Sequence, residues 1–470
     1  MAIRRVRAAR IDFSDLRREL ELPTQFPLAA QREADESAGR QRMPETDRTD
    51  IPFVTIDPAT SRDLDQAMCL LRRPGGYRVH YAIADVASFV RPGGALETET
   101  WRRGQTVYLP DGKVPLHPEV LSEGAASLLP DADRPAVVWT IDLDSDAATT
   151  AVHVERARVR SRAKLDYRGV QADVDAGQIA EPIALLVEVG SLLVARGLAR
   201  GGINLPIPEQ EVEPFTGDHG WRIVLRAPTP VEEYNAQISL LTGMAAATLM
   251  LDGRLGLLRT MPAPRPDAVA RLRTAAHSLR IEWPAKASVG EVIARVDPAQ
   301  PRAAAFLDHA AELMRGAGYT AFDGAPPADP AHGAVAAPYA HVTAPLRRLA
   351  DRYATEVALA LYEQREVPGW AREALPKLPD VMAATDRTTS AAERGAVDLT
   401  EAVLLADRVN DEFEVAVLDV DDRGKTPGGT VALDDPPVRA RCEGVLPLGE
   451  RITVRLVEAD PVRRRVLFRA

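Results

Sequence analysis

The chain has 470 residues, in which 58 Lys and Arg face 68 Asp and Glu, so its formal net charge is −10. This balance excludes a bulk polycation, and any polyanionic partner would have to bind in a local basic groove. Two cysteines, Cys69 and Cys442, are too few for a disulfide framework and favour a reducing, cytoplasmic location. The longest apolar stretch, residues 238–251, falls short of the roughly 18 residues of a membrane span, which predicts no membrane partner.

Residues 1–45 are predicted to form a basic N-terminal region with short helices over Asp15–Leu20 and Leu28–Ala38. Two interpretations stay open for it: a helical extension packed on the main domain, or a separate nucleic-acid-binding module. The main domain is predicted over residues 46–408, with strands at Phe53–Ile56 and Val79–Ile83. Together with the helices that follow, these strands predict an α+β fold. The main helical segments are predicted at Ile238–Leu251, Ala303–Arg315 and Leu346–Tyr362.

From residue 409 to its end the chain alternates short β-branched runs with Gly, Pro and Asp turns. Several short strands at this spacing predict a small barrel of the oligonucleotide-binding type. Arginines in this segment form a candidate phosphate-contacting set: Arg439, Arg441, Arg455 and Arg463–Arg465. The predicted strands are Phe413–Val420, Gly429–Leu433, Arg451–Val457 and Arg464–Phe468.

The most informative segment is an apolar strand that ends on Asp57, followed by a short loop to Asp63 and Asp65. Asp63 and Asp65 share a face, because side chains alternate along an extended chain. Three crowded carboxylates repel one another unless a cation neutralises them, and a hard divalent ion such as Mg²⁺ suits oxygen ligands. Such an ion can polarise a phosphodiester and activate a water. An Asp-rich surface turn explains the spacing equally well, so both interpretations stay open at this point.

Four stretches, in order along the chain, resemble the ribonuclease II family of exoribonucleases. The first is Thr-Ile-Asp at 55–57 with Asp-Leu-Asp-Gln-Ala at 63–67, and the second is His-Tyr-Ala-Ile-Ala-Asp-Val at 80–86. The third is Tyr-Leu-Pro at 108–110 with Pro-Leu-His-Pro at 115–118, and the last is Thr-Ala-Pro-Leu-Arg-Arg at 343–348. The C-terminal barrel is similar to the S1 domain of this family.

The resemblance implies an RNB catalytic domain, a mixed sheet with surrounding helices, over residues 46–408 and an S1 domain over residues 409–470. It also implies a hydrolytic 3′-to-5′ exoribonuclease that acts on single-stranded RNA and releases nucleoside 5′-monophosphates. The family's N-terminal cold-shock barrels need more than 45 residues, so we expect a short form with an open channel mouth that digests close to a duplex.

The resemblance also assigns site residues. Asp57, Asp63 and Asp65 are implied ligands of one or two Mg²⁺ ions, with Mn²⁺ as a substitute, and Asp65 also matches the aspartate required for cleavage. The family's fourth aspartate falls at Gln66, which brings no charge and puts a second metal in doubt. Arg347 matches an arginine that holds phosphate at the cleavage site, and its planar fork suits that role.

Other implied RNA contacts are Tyr108 and Tyr167, which would stack on bases, and Arg348 beside Arg347. Glu232 and Glu233 match a position that contacts a ribose hydroxyl, which would separate RNA from DNA. Each has a structural alternative, since tyrosines also occupy cores and acids favour helix N-termini. Two rival functions stay open: a catalytically weakened RNA-binding protein, and a metal-dependent nuclease of single-stranded DNA. We expect a monomer.

Overall fold

The computed structural model describes residues 11–40, 42–215, 220–421 and 427–470. The arginines at positions 4–10, which make the N-terminus basic, lie outside these ranges. Two helices follow, α1 (Ser14–Glu19) and α2 (Leu28–Gly39). Phe13 and Leu16 are fully buried and pack with Val107 and Leu109 of the main domain. The described part of the N-terminal region is therefore the packed helical extension, one of the two interpretations left open.

The main domain is built on five strands that close into a barrel in the order β1-β2-β3-β6-β7. Neighbours pair antiparallel except β1 and β7, which are parallel, so the predicted mixed sheet is present and is also closed. Tyr81 and Trp139 are fully buried inside the barrel's core cluster. The strands are β1 (Phe53–Asp57), β2 (Gln66–Arg73), β3 (Gly76–Ala84), β6 (Asp133–Asp144) and β7 (Thr149–Asp166).

Between β3 and β6 the chain forms helix α3 (Ala95–Arg103) and a short antiparallel hairpin, β4 (Val107–Leu109) and β5 (Gly112–Val114). The turn of this hairpin is tied to α1, because both Nη atoms of Arg17 donate to the Asp111 carboxylate at 2.9 and 2.5 Å. The N-terminal extension therefore supports the hairpin from outside.

Helices and short two-stranded sheets follow the barrel. Helix α6 begins at Pro230, whose fixed φ suits a first helical position, and the Thr229 side chain accepts the N–H of Glu232 at 3.4 Å. The helices are α4 (Tyr167–Asp175), α5 (Leu186–Ala199), α6 (Pro230–Gly253), α7 (Pro266–Ser278), α8 (Val289–Ile293), α9 (Pro301–Ala311), α10 (Leu349–Tyr362), α11 (Gly369–Ala374) and α12 (Leu378–Leu405). The strands among them are β8 (Glu209–Phe215), β9 (Gly220–Arg226), β10 (Leu255–Thr260), β11 (Gly318–Asp323), β12 (Ala331–His332) and β13 (Ala337–Pro338).

The three predicted main helical segments are present, but each has different bounds. The segment predicted at 238–251 is part of α6, which begins eight residues earlier at Pro230 and ends at Gly253. The segment predicted at 303–315 is α9, which ends at Ala311 and continues as a single 3₁₀ turn. The segment predicted from Leu346 begins only at Leu349 as α10. Residues 345–347 form a turn instead, and this turn aims Arg347 at the aspartates described below. No helix in the described ranges is long and apolar enough to cross a membrane.

The C-terminal segment is the second closed barrel, in the order β14-β15-β16-β18-β17, around a core that includes Phe468, Val415 and Leu456. The sequence predicted four of its five strands and missed β16. The apolar positions of β16 are Ala440 and Cys442, which lack the β-branched side chains that mark the other strands. The strands are β14 (Glu412–Asp421), β15 (Gly428–Ala432), β16 (Arg439–Glu443), β17 (Arg451–Asp460) and β18 (Arg465–Arg469).

Candidate active site

The three aspartates of the motif lie together at one end of the first barrel. Strand β1 ends on Asp57, and the loop after it carries Asp63 and Asp65 back to the start of β2. Leu64 anchors this loop, since its side chain is fully buried and its N–H donates to Ser127 Oγ at 3.0 Å. With Leu64 turned inward, its two acidic neighbours share the opposite side, as the alternation predicts.

Asp57 and Asp65 are both withdrawn from solvent. Asp65 Oδ1 accepts the N–H of Leu346 at 2.7 Å, and Arg347 Nε lies 3.6 Å from Asp65 Oδ2. Burial raises the pKa of Asp57 to about 7 and that of Asp65 to about 8, and Arg347 opposes this rise in both. The charge of Asp63 adds to the rise in both. The single guanidinium therefore does not neutralise the pair, which calls for a further positive charge.

Asp63 has partners of its own on the β4–β5 hairpin. Tyr108 and Lys113 face each other across the hairpin, and both reach the same oxygen of Asp63. The Tyr108 hydroxyl donates to Asp63 Oδ2 at 3.0 Å, and Lys113 Nζ lies 3.0 Å from that atom and 2.9 Å from Glu123 Oε1. The pKa of Lys113 is raised from its ordinary value, because hydrogen bonds to the two carboxylates outweigh the opposing effect of burial. Lys113 thus stays charged.

Gln66, which stands where the family has a fourth aspartate, uses its amide as a donor. Its Nε2 donates to the carbonyl oxygen of Thr343 and so links β2 to the turn that carries Arg347. A carboxylate at this position could not make that bond, because it has no proton to donate. The exchange therefore changes both the charge of the site and how the turn at 343–348 is held.

The two neighbouring arginines of the last motif separate in the structure. Arg347 is about half exposed, and its charge acts on Asp57, Asp65 and Tyr108. Arg348 turns the other way, where its Nε and Nη2 donate to the buried carboxylate of Asp351, both at 2.9 Å. The structure thus brings Arg347, and not Arg348, to the aspartates.

Tyr167, at the start of α4, lies on the side of Asp57. Its hydroxyl accepts a hydrogen bond from Nδ2 of buried Asn235 at 2.9 Å. Burial raises the pKa of Tyr167 to about 12, and the negative charge of Asp57 adds to that rise. The hydroxyl therefore keeps its proton at neutral pH. Tyr108 differs in being 43% exposed, so its ring is open to a stacking partner.

The two glutamates that open α6 have separate partners. Glu232 accepts from Arg226 Nη1 at 2.8 and 2.9 Å, and its charge also raises the pKa of Tyr167. Glu233 accepts from Asn204 Nδ2 at 3.0 Å. The arrangement places Glu232 on the Tyr167 side of the site.

Two further residues belong to this site and were missed by the sequence analysis. Asn235 follows Glu232 by three positions on α6, so helical spacing places the two on one face, and that spacing was the signal available. Lys113 lies between the two parts of the third family stretch and is one of only five lysines in the chain, but its partners come from other segments. Only the folded hairpin brings it to Asp63.

Few carboxylates are free to hold a divalent ion at this site. Across the described ranges, no group of three or more His, Cys, Asp or Glu side chains is arranged to hold a metal, and Asp63 already contacts Tyr108 and Lys113. Asp57 Oδ2 is buried and has no hydrogen-bond partner among the described residues. Mg²⁺ commonly takes one or two carboxylates with water and substrate phosphate oxygens, so Asp57 and Asp65 fit such an ion.

The fold and these motifs agree with the comparison to known families. The RNB domain model matches residues 45–363, and the model of the RNase II-type exonuclease C-terminal S1 domain matches residues 411–470. The chain therefore belongs to the RNB-domain family and carries the S1 domain that the sequence resemblance implied.

Two curated relatives illustrate the similarity. Ribonuclease R of Escherichia coli (strain K12) is 30% identical over 354 residues, which cover 70% of this chain and 42% of that protein. The Homo sapiens exosome complex exonuclease RRP44 is 30% identical over 314 residues, which cover 65% of this chain and 32% of that protein. The similarity thus spans less than half of each relative's length.

Two solved structures share the fold. The apo form of Mycoplasma genitalium RNase R has a TM-score of 0.84 at 20% identity, covering 97% of this chain and 77% of that one. Yeast Ssd1, described as a pseudonuclease, has a TM-score of 0.65 at 17% identity, covering 93% of this chain and 53% of that one. The same architecture therefore occurs in a protein described as a pseudonuclease.

Proposed function

We propose that this chain is a hydrolytic exoribonuclease that removes nucleotides from the 3′ end of single-stranded RNA and releases nucleoside 5′-monophosphates. The observation that carries the proposal is the pair Asp57 and Asp65, a partly buried and a buried carboxylate left short of positive charge beside the half-exposed Arg347. Buried charges without compensation destabilise a fold, so their presence at a family motif favours catalysis over a purely structural role.

A divalent cation held by Asp57 and Asp65, Mg²⁺ or Mn²⁺, would supply the missing positive charge and polarise the scissile phosphodiester. Arg347 is half exposed and carries a planar fork of donors, which suits bidentate contact with a phosphate oxygen pair. In this position the guanidinium would hold the phosphate in place and stabilise negative charge that develops on it.

The tyrosines and Glu232 would place the last nucleotides of the RNA. The exposed ring of Tyr108 can stack on any base, because every base has a π-face. Tyr167 keeps its hydroxyl proton and can donate to a sugar or phosphate oxygen. Glu232 on the same side offers an acceptor for a 2′-hydroxyl, which only RNA has. We propose RNA preference on this basis.

The second candidate is an RNA-binding protein with weakened catalysis. It is favoured by Gln66, which removes one carboxylate, and by the pseudonuclease that shares the fold. The two functions differ in one observable property, the release of monophosphates.

The test is to incubate 5′-labelled single-stranded RNA and DNA with the protein, with and without Mg²⁺, beside the Asp65→Asn variant. We expect stepwise shortening of RNA only with Mg²⁺, and a loss of about 10²–10³-fold in Asp65→Asn. RNA binding without shortening would support the second candidate. Equal digestion of DNA would contradict the RNA preference.

A further inference from the structure

We infer that the Lys113 ammonium serves as a built-in cation of the active site. It pairs with the Asp63 carboxylate, so that the site binds one divalent ion and not two. This inference rests on the proposed function, since it concerns the same carboxylates. Lys113 lies on β5 directly opposite Tyr108 on β4, so one hairpin carries both the stacking candidate and the cation.

The contacts of Lys113 are those of a bound ion with two carboxylate ligands. Its Nζ lies 3.0 Å from Asp63 Oδ2 and 2.9 Å from Glu123 Oε1, and its side chain is 19% exposed. Asp63 Oδ2 accepts a second hydrogen bond from the Tyr108 hydroxyl. Charge-assisted hydrogen bonds in such a partly dry position are strong, so a hydrated divalent ion would not readily displace the ammonium.

One divalent ion is enough to offset the negative charge of the site. Asp57, Asp63, Asp65 and Glu123 bring four negative charges, and Arg347, Lys113 and Arg62, which pairs with Glu123, bring three positive ones, so the protein contributes one net negative charge. One divalent ion leaves the whole site with a single positive charge. A site with a fourth aspartate and no lysine would need two divalent ions to reach the same balance.

Gln66 and Lys113 therefore both disfavour the binding of a second divalent ion. Gln66 removes the carboxylate that a second divalent ion would use and instead donates its amide to Thr343. Lys113 adds a positive charge beside Asp63. A second divalent ion bound to Asp63 would also lie close to the ammonium, and like charges at such distances repel strongly where water is scarce.

The hairpin holds Lys113 in place. Val107, Leu109 and Val114 are buried against Phe13 and Leu16 of the N-terminal extension. Lys113 would have to break its two ion pairs, or the hairpin would have to leave this packing, before Asp63 became available to another cation.

Removing the lysine gives a sharp test. In Lys113→Met, Asp63 and Glu123 would remain as two carboxylates around one empty cation position, which is a suitable site for a divalent ion. We would titrate the full chain with Mn²⁺ and follow the electron paramagnetic resonance signal of the free ion, which gives the number of ions bound. Bound ions that are lost in Asp57→Asn, or gained in the Lys113 variants, are counted as site ions.

The expected result is one site ion in the unaltered chain and two in Lys113→Met. The Lys113→Arg variant keeps the positive charge and should bind one site ion. Lys164→Met is the matched control, because it also removes a lysine from this region. Lys164 lies close to Asp57, but its Nζ donates to the Ala59 carbonyl oxygen and not to a carboxylate, so the number of site ions should stay at one. Lys113→Gln removes the charge while keeping a donor, and gives the same test if Lys113→Met does not fold.

Two site ions in the unaltered chain, or one in both uncharged Lys113 variants, would overturn the inference. A count that Asp57→Asn does not change would instead contradict the divalent ion of the proposed function. The two failures are therefore distinguishable.

Discussion

The two barrels of this chain each close five strands, but they place their charges differently. In the first barrel, the acidic side chains at a strand end and in the loop after it are partly or fully buried, and Asp57 Oδ2 has no hydrogen-bond partner among the described residues. In the second barrel, charged side chains lie on the outside, and several are paired, such as Arg455 with Glu412 at 3.1 Å. A similar scaffold thus carries withdrawn acids in one place and solvent-exposed charge in the other, so the site and not the fold must carry an argument about function.

The two regions also differ in how their acids withdrawn from solvent are hydrogen-bonded. Glu401, on α12 next to the second barrel, is almost fully buried, but it accepts hydrogen bonds from the Arg439 N–H at 2.8 Å and from Gln210 Nε2 at 2.7 Å. Its pKa is raised to about 7, mainly by burial. A raised pKa therefore does not by itself mark a catalytic group. The buried Asp57 Oδ2, which has no hydrogen-bond partner within the described ranges, is the more specific sign.

The largest expected effect concerns Arg348, which should matter for stability rather than for chemistry. Arg348→Ala leaves the buried Asp351 carboxylate without its ion pair, which should lower the free energy of unfolding by about 3–5 kcal/mol. Thermal or urea denaturation measures this. The double variant Arg348→Ala/Asp351→Ala is the control and should recover part of the loss. Normal stability in Arg348→Ala would mean that the arginine is free to contact RNA.

Arg347→Ala, in contrast, should lower activity and leave stability nearly unchanged. Because Arg347 is half exposed and contacts Asp65 only at 3.6 Å, we expect little change in the melting temperature and a fall in kcat of about 10²-fold. The measurement is single-turnover nucleotide release at saturating protein. Unchanged kcat with weakened binding would assign Arg347 to RNA binding alone.

Glu401 predicts a pH dependence at the junction with the second barrel. Its pKa is about 7 in the folded state against an ordinary value of 4.5, so the folded state holds the proton more tightly. Stability from this group should therefore rise as pH falls from about 7 to about 4.5, by about 3 kcal/mol in total. Glu401→Gln should remove that part of the pH dependence and be more stable at pH 8. If the free energy of unfolding depended on pH in the same way in both proteins between pH 4.5 and pH 7, the assignment would be wrong.

The smallest expected effect is on the second barrel. Arg441 is exposed and has no ion pair with any residue in the described ranges, unlike Arg455. If it contacts phosphate, Arg441→Ala should weaken RNA binding and reduce the slope of log affinity against log salt by about 0.7. Arg455→Ala, which also removes an arginine, should change the slope less. Equal slopes in all three proteins would show that Arg441 does not contribute to RNA binding.

The sequence predicted the aspartates and Arg347 because each lies in a short motif whose residues are neighbours in the chain. It also placed Arg348 beside Arg347 as an RNA contact, since a helix was expected from Leu346, whereas the turn at 345–347 precedes the helix and Arg348 pairs with Asp351. Asp351 three positions after Arg348 was the available signal for the ion pair.

Other features depend on long-range contacts. Lys113 meets Asp63 and Glu123 only through the folded hairpin, and closure of the first barrel requires β1 to pair in parallel with β7, far along the chain. Strand β16 was missed because Ala440 and Cys442 carry little strand signal. The cytoplasmic location, the monomeric state and the assigned metal stay predictions.

The most direct test of the proposed function is the release of nucleotides from end-labelled single-stranded RNA with Mg²⁺, compared between the unaltered chain and Asp57→Asn. The account predicts that a 3′ label appears at once as nucleoside 5′-monophosphate and a 5′ label only late, and that Asp57→Asn binds the RNA but releases almost nothing. Full binding without release by the unaltered chain, or equal release by Asp57→Asn, would contradict it.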